Sequence, residues 1–401
     1  MDWFREQAAL RGSEAAAAVR TNLDAFWKTA DAFRLRKERV LLEAEELLRS
    51  LPDGKRMELY GIAEGAGCRP SELMAFNVLG PRLQPEGCTV YFAAGKSSAA
   101  GTTIIGKNSD KGGDLALTGD LCVNFHEINV VSWMDNEDGS HVVGISAAGS
   151  TGIKMGMNSH GVVGSTNYGY SRAARKKTLS QAERFAGDRA QIARDSLQKR
   201  TALEAAQYAA ARLLAHPMAS SGMLEFADAD AVYIVENVYD YLAIRKITDA
   251  VDSRSNYFVT LDYLNEAGSA TCYCRYHRSQ QLLREIDGHA TAEDLKRISM
   301  DHHDGTGTLG ICRHVDGLDS STQAAAVMEP KREPEKSVIH MALGKPCNAW
   351  RYPDGNISIR MDQPREAIPE AFRRGDPYLK YGFAEPVLSD ADCTFRTGDI
   401  A

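Results

Sequence analysis

The residues whose types and spacing could do chemistry begin with Gly87-Cys88-Thr89, followed at once by Val90-Tyr91-Phe92. A residue without a Cβ precedes a thiol, and a run with strand propensity follows. If the Cys88 sulfur attacks the Gly87 carbonyl, an N-to-S acyl shift yields an ester that water can open. The backbone is then cut and Cys88 becomes a new N-terminus. Glycine suits the strained geometry of that shift. The freed α-amine titrates near about 7.7–8.0, so it can take a proton near neutral pH. Nucleophile and base would then share one residue. The ordinary role of a free cysteine is a small core hydrophobe, and the surroundings of Cys88 must decide between the two.

Asp110 closes the next strand, which is expected to pair with the Cys88 strand. A carboxylate there can hold an α-ammonium by charge-assisted hydrogen bonds. The competing reading is a hairpin-end Asx turn, because Lys111-Gly112-Gly113 follows. Lys107 lies in the same strand, where it could face the thiol and favour thiolate, or simply be solvated. Tyr168, Tyr170 and Tyr257 could line a substrate pocket or serve packing. Cys272-Tyr273-Cys274, with His277 nearby, lacks zinc spacing and reads as a strand with both thiols on one face. Asp301-His302-His303-Asp304 reads as a helix cap and loop. No metal and no cofactor are expected.

The elements that must position these residues fall into two regimes. Residues 14–50 carry apolar positions at helical rhythm, and Pro52-Asp53-Gly54 stops them. Helices are expected over 55–67 and from Pro70 to Asn77, so the stretch before Gly87 is helical. After Cys88 strands dominate: 88–94, 102–107, 127–134, 141–147, 152–158 and 161–167. Helices at 179–197 and 201–214 precede strands at 230–237 and 241–247. Helices at 277–286 and 291–301 precede strands at 323–329, 337–343 and 356–361. Strands, helices, then strands again imply helices layered outside stacked antiparallel sheets, an α+β sandwich.

The 401 residues, 43% hydrophobic and 25% charged, support a sizeable core. A net charge of −7 argues against nucleic-acid or anionic-membrane partners. The basic run Arg172 to Lys177 is short and reads as a solvated loop. No signal peptide or membrane span is visible, so a cytoplasmic location is expected. The eight scattered cysteines read as reduced thiols. Self-association is left open.

With these residues in view, the chain resembles the isopenicillin-N acyltransferase-like family of N-terminal-nucleophile hydrolases, with conjugated bile salt hydrolases and penicillin V acylases as more distant relatives. The resemblance runs from about residue 40 to residue 350. It rests on Leu59 to Gly67 and Leu73 to Asn77 before the processing site Gly87-Cys88-Thr89, and on Gly106-Lys107-Asn108-Ser109-Asp110 and Gly156-Met157-Asn158-Ser159-His160-Gly161 after it. Gly310-Ile311-Cys312-Arg313 and Gly344-Lys345-Pro346 complete the order.

The resemblance implies a four-layer αββα sandwich, self-cut between Gly87 and Cys88. A helical light fragment, 1–87, would stay on a heavy fragment, 88–401. It implies Cys88 as nucleophile and Asp110 as holder of its amine. Asn167, through its backbone N–H, and Asn256, through its side chain, would form the oxyanion hole, and Arg313 would stand in the site wall. Here Ser255 and Tyr257 flank Asn256 where the family has Thr and His, and Asp262 is a rival for the same slot. Gly310 replaces the family's serine, and Lys107 stands where bile salt hydrolases carry arginine. The implied activity is hydrolysis of a small linear N-acyl amide through a thioester. Acyl transfer to an amine, an unprocessed ligand- or partner-binding relative, and a dipeptidase of a related Cys-Thr group are the alternatives. No nucleotide-binding glycine motif is present.

Overall fold

The computed structural model describes residues 2–80, 83, 86–112, 114–118, 121–124, 127–136, 138–172, 181–216, 221–266, 270–303, 307, 309–314 and 320–385. Most of the basic run 172–177, the start of the helix expected at 179 and the tail beyond 385 lie outside these residues.

Five helices come first: α1 (Asp2–Glu14), α2 (Ala16–Ala32), α3 (Lys37–Ser50), α4 (Asp53–Ala66) and α5 (Pro70–Leu79). The strands β1 (Glu86–Ala93), β2 (Ile104–Lys111), β3 (Asp114–Thr118), β4 (Leu121–Asn124), β5 (Asn129–Asp135), β6 (His141–Ala147), β7 (Met155–Asn158) and β8 (Val163–Tyr168) follow. Then come α6 (Gln181–Ala186), α7 (Arg189–Ser196) and α8 (Ala202–Ala215), and β9 (Ser221–Ala227), β10 (Val232–Val238), β11 (Tyr241–Ile247) and β12 (Val251–Arg254). The chain ends with α9 (Ala270–Glu285), α10 (Ala292–Ser299), β13 (Ser321–Glu329), β14 (Val338–Leu343), α11 (Pro346–Ala349), β15 (Asn356–Arg360), α12 (Glu370–Arg374) and α13 (Asp376–Tyr381).

Two antiparallel sheets form the centre. One has the order β12-β1-β2-β13-β14-β15 and the other β11-β10-β9-β8-β7-β6-β5. Strand alternation divides the apolar residues between layers. Val90, Phe92 and Ile105 of the first sheet meet Val143, Ile145, Met155 and Val163 of the second in one core. Tyr91, Ala93 and Ile104 point the other way, onto Leu283 of α9 and Leu295 and Ile298 of α10. The outer face of the second sheet, with Leu224, Phe226 and Val235, is covered by Ile192 of α7 and Ala205 and Ala209 of α8. The result is an αββα sandwich, in agreement with the fold class expected from sequence.

The N-terminal helices share the central core through Val19, Phe26, Leu73 and Phe76. Asn22 pins α2 to the sandwich: its Nδ2 donates to Ile128 O at 3.1 Å and Ala148 O at 3.0 Å, and its Oδ1 accepts from Ile128 N at 2.8 Å. Asn77 of α5 does the same at Gly149 O and Thr151 N, both at 2.9 Å. Local signals set several boundaries. Thr291 and Asp294 form a capping box that starts α10, and Gly67 closes α4 in the left-handed region at φ 66°.

Three sequence expectations are corrected. The segment 272–274 is not a strand but the first turns of α9. Its buried residues Cys272, Arg275, Ser279 and Leu283 recur at helical, not alternating, spacing. The helix expected over 179–197 breaks at Gly187-Asp188, where the Asp188 side chain accepts from Gln191 N and caps α7. Strands β9 and β12, absent from the sequence reading, complete the two sheets.

Candidate active site around Cys88

Cys88 is the third residue of β1 and is buried, 2% exposed. In the β1–β2 ladder Gly87 lies opposite Asp110, Cys88 opposite Ser109, and Val90 opposite Lys107. Alternation places Cys88 with Val90 and Phe92 on the face toward the second sheet. Asp110 belongs to the opposite face, toward the outer helices. The Gly87–Cys88 peptide is therefore approached from both sides.

The backbone around that peptide is gripped by side chains from distant segments. Tyr170 Oη donates to Glu86 O at 3.0 Å. The Cys88 N–H donates to Asn256 Oδ1 at 3.0 Å. Arg275 of α9 donates to Cys88 O at 2.6 Å and to Thr89 Oγ1 at 2.8 Å. Its other nitrogen donates to Asn256 Oδ1 at 2.7 Å. Two donors converge on that oxygen, which fixes the orientation of the Asn256 amide, since only its oxygen accepts. The Asn256 Nδ2 donates to Tyr168 O at 2.8 Å.

Asp110 is fully buried between two guanidinium groups. Its Oδ2 lies 3.8 Å from Arg275 Nη1 and 3.7 Å from Arg313 Nη1. Its Oδ1 accepts from Thr322 Oγ1 at 2.7 Å. Arg313 also donates to Ser320 Oγ at 2.6 Å and is 1% exposed, so its pairing with Asp110 is an interior one. These groups crowd Gly87. A Cβ there would sit 2.8 Å from Ser320 Oγ, 2.9 Å from Arg313 Nη1 and 3.1 Å from Asp110 Oδ2. A side chain at position 87 would have to displace the tips of Ser320 and Arg313.

Asn167, in β8, donates its Nδ2 to Arg254 O and Ser255 O, both at 3.2 Å, and so braces the segment that carries Asn256. Lys107 is buried and bridges the sheets, donating to Lys154 O at 2.9 Å and to Thr166 O. Burial pushes the Cys88 thiol above its ordinary range, with Glu86 and Asp110 adding to the rise and Lys107 and Lys111 opposing it. Burial also disfavours ionised Glu86, but Lys111 and Arg189 hold it below the usual carboxylate range.

Tyr168 packs edge-on to Tyr170 at 4.9 Å, under the Arg189 guanidinium. Tyr257 packs instead with Tyr273 and Tyr276 of α9. Asp262, the rival of Asn256, is exposed and opens a short 3-10 turn, and of the two it is Asn256 that meets the Cys88 backbone.

Sequence reasoning missed Arg275, whose segment it read as a strand. The helical recurrence of Cys272, Arg275, Ser279 and Leu283 was the signal that could have found it. It also passed over the Tyr170 hydroxyl, Thr322 and Ser320. His302 lies in the loop after α10, as expected, but its side chain does not face solvent. His302 is buried, and its side chain gathers with Cys312, His314 and Cys347, the potential ligand atoms all lying within 4.8 Å of one another.

No family model and no curated protein matches the chain. Among solved structures it is similar to a Caenorhabditis elegans N-acylethanolamine-hydrolyzing acid amidase ortholog, at 15% identity and a TM-score of 0.40, over 60% of this chain and 92% of that one. It is similar to a penicillin V acylase from Agrobacterium tumefaciens at 12% identity and a TM-score of 0.34, over 64% and 83%. It is also similar to a conjugated bile acid hydrolase from Clostridium perfringens at 12% identity and a TM-score of 0.40, over 69% and 93%. Likenesses this distant carry no function across.

Proposed function

We propose that the chain is a self-processing N-terminal-nucleophile amide hydrolase with Cys88 as nucleophile. One observation carries the reading: the backbone on both sides of the Gly87–Cys88 bond is held, at Glu86 O by Tyr170, at the Cys88 N–H by Asn256 and at Cys88 O by Arg275. A buried cysteine that served only packing would not need three polar side chains around its backbone.

In the proposed scission the Cys88 sulfur adds to the Gly87 carbonyl carbon and the Gly87–Cys88 C–N bond breaks. The nitrogen leaves protonated as an amine, and a thioester joins Gly87 to the sulfur. Water then adds to the thioester, releasing Gly87 as a carboxylate and restoring the thiol. The new amine keeps the Asn256 Oδ1 acceptor that the peptide N–H had, beside Asp110.

In turnover the amine takes the thiol proton while sulfur attacks the substrate carbonyl. The Asn256 Nδ2 carries two protons, one of them on Tyr168 O; the second, with the Asn167 backbone N–H, is assigned to the oxyanion. Removing one such donor typically costs about 2.7–4 kcal/mol of barrier. The α-ammonium protonates the departing amine, and water resolves the acyl-enzyme. Lys107, from β2 beside the Cys88 strand, favours the thiolate. Tyr168 and Tyr257 are the residues we assign to the substrate side.

The substrate class is a small linear N-acyl amide. Residues 1–87 would remain as a light fragment, held by Asn22, Asn77 and the shared core. The purified protein, run on a panel of N-acyl amines and N-acyl amino acids, should release amine. Transfer to an added amine acceptor would mark an acyltransferase instead. An uncut chain that binds amides without releasing amine would replace the enzyme reading with a binding one.

A further inference from the structure

We propose that His302, Cys312, His314 and Cys347 hold one tetrahedral transition-metal ion of the zinc class, and that this ion positions Arg313. The four residues come from three segments: the loop after α10, the stretch before β13 and the start of α11. His302, Cys312 and Cys347 are fully buried, and His314 is half-buried.

The spacing is that of a coordination shell. Zinc binds sulfur at about 2.3 Å and imidazole nitrogen at about 2.0–2.1 Å, so a tetrahedral site places N and S about 3.5 Å apart. His314 Nε2 lies 3.5 Å from Cys312 Sγ and 3.2 Å from Cys347 Sγ. The His302 ligand atom lies within 4.8 Å of all three others. Two thiolates, two neutral imidazoles and a divalent cation sum to zero charge, which a buried site tolerates. Asn348 Nδ2 points at Cys347 Sγ from 3.7 Å, the kind of outer amide that supports a ligating thiolate. Four protein ligands leave no open position, so the ion is structural and not a catalytic Lewis acid.

Its position gives it a function. Cys312 and His314 flank Arg313, whose guanidinium lies 3.7 Å from Asp110 and crowds Gly87. Asn108 Nδ2 donates to Ile311 O and Ser299 O, both at 2.9 Å, so the same strand that carries Asp110 also tethers the ligand-bearing segment. An ion clamping residues 312 and 314 fixes the backbone on both sides of Arg313. The set escapes the usual zinc patterns because no two of its cysteines are close in sequence.

The test is metal content and spectroscopy on the full chain, independent of amide turnover. It is run on wild type and on Cys88→Ala, so that scission plays no part. Each protein is purified without chelator, incubated with Zn²⁺ and desalted. One ion per chain is expected. Replacement by Co²⁺ should give the visible bands of a tetrahedral site and a thiolate-to-metal charge-transfer band. Cys347→Ser and His302→Ala should lose the ion, while Cys274→Ser keeps it. Substoichiometric metal in folded wild type after loading, octahedral Co²⁺ spectra, or a Cys312–Cys347 disulfide in metal-free protein would overturn the proposal. Loss of activity with the metal retained would count against the amide-hydrolase reading and leave the ion in place.

Discussion

Arg275 donates to the backbone carbonyl of Cys88 at 2.6 Å while a second nitrogen of the same guanidinium donates to Asn256 Oδ1 at 2.7 Å. One planar group thus fixes the nucleophile's strand and the side chain that receives its nitrogen. Lysine keeps the charge but not the fork. Arg275→Lys should therefore slow scission and turnover by about 10²-fold, the cost of a small misplacement of reacting groups. Fragment formation and amine release, followed in parallel, check this. Unchanged rates would remove Arg275 from the site.

Scission should be limited by the thiolate fraction of Cys88, which burial keeps low. The sign follows from the upward shift. Below the raised value, each pH unit gained increases thiolate by about tenfold, so the rate should climb through pH 7–9 without a plateau. Lys107→Met removes the leading opposing charge and should slow scission further at every pH in that range. Pulse-labelled precursor chased at different pH values measures both.

Asp110→Asn keeps an acceptor for Thr322 but leaves Arg275 and Arg313 without their buried carboxylate. Breaking a buried pair from one side costs about 3–5 kcal/mol, so denaturant unfolding should show a loss approaching that size. Activity should fall by about 10²–10⁴-fold. A variant with wild-type activity would exclude Asp110 from catalysis.

The pairing of Asp110 with the Cys88 strand was legible because the two apolar strands are joined by a short Gly-bounded turn, which sets an antiparallel register. The sandwich was legible from the alternation in β1, β2, β13 and β14. Arg275 was obscured because Cys272 and Cys274 mimic alternation locally, although Cys272, Arg275, Ser279 and Leu283 carry the helical period along α9. Strand β12 reads Val251-Asp252-Ser253-Arg254, and its polar residues find partners on distant elements: Arg254 meets Glu236 of β10 at 3.3 Å, and Asp252 accepts from Gln280 of α9 at 2.7 Å. Long-range pairing of that kind has no local signature. The same holds for His302, Cys312, His314 and Cys347, which meet only after the first sheet and its outer helices assemble.

A different pH dependence belongs to the end of the β13–β14 hairpin. The His340 hydrogen bond, with Lys331 beside it, holds the Glu329 carboxyl at about 2 against the opposing effect of burial. A depressed carboxylate contributes stability above its unfolded value and loses it as pH falls through the folded value. The thermal midpoint should therefore drop between about pH 4.5 and pH 2, and Glu329→Gln should flatten that part of the curve. An identical slope in the variant would contradict the assignment.

Asn22 ties α2 to two backbone carbonyls and one N–H of the sandwich. Asn22→Ala takes that partner from the Ile128 N–H and the Ala148 carbonyl, while Ile128 O keeps the Ala148 N–H at 2.9 Å; the cost is about 1–3 kcal/mol. After scission the two fragments should co-elute in native buffer and separate only in denaturant, at a lower denaturant concentration for Asn22→Ala. Fragments that part in native buffer would contradict a retained light fragment.

The central claim is tested most directly by intact-mass analysis and N-terminal sequencing of protein that is active on an N-acyl amide. The account predicts two polypeptides, with the larger beginning at Cys88, and a single uncut, inactive chain for Cys88→Ala. Active protein in which the Gly87–Cys88 bond is whole would contradict it.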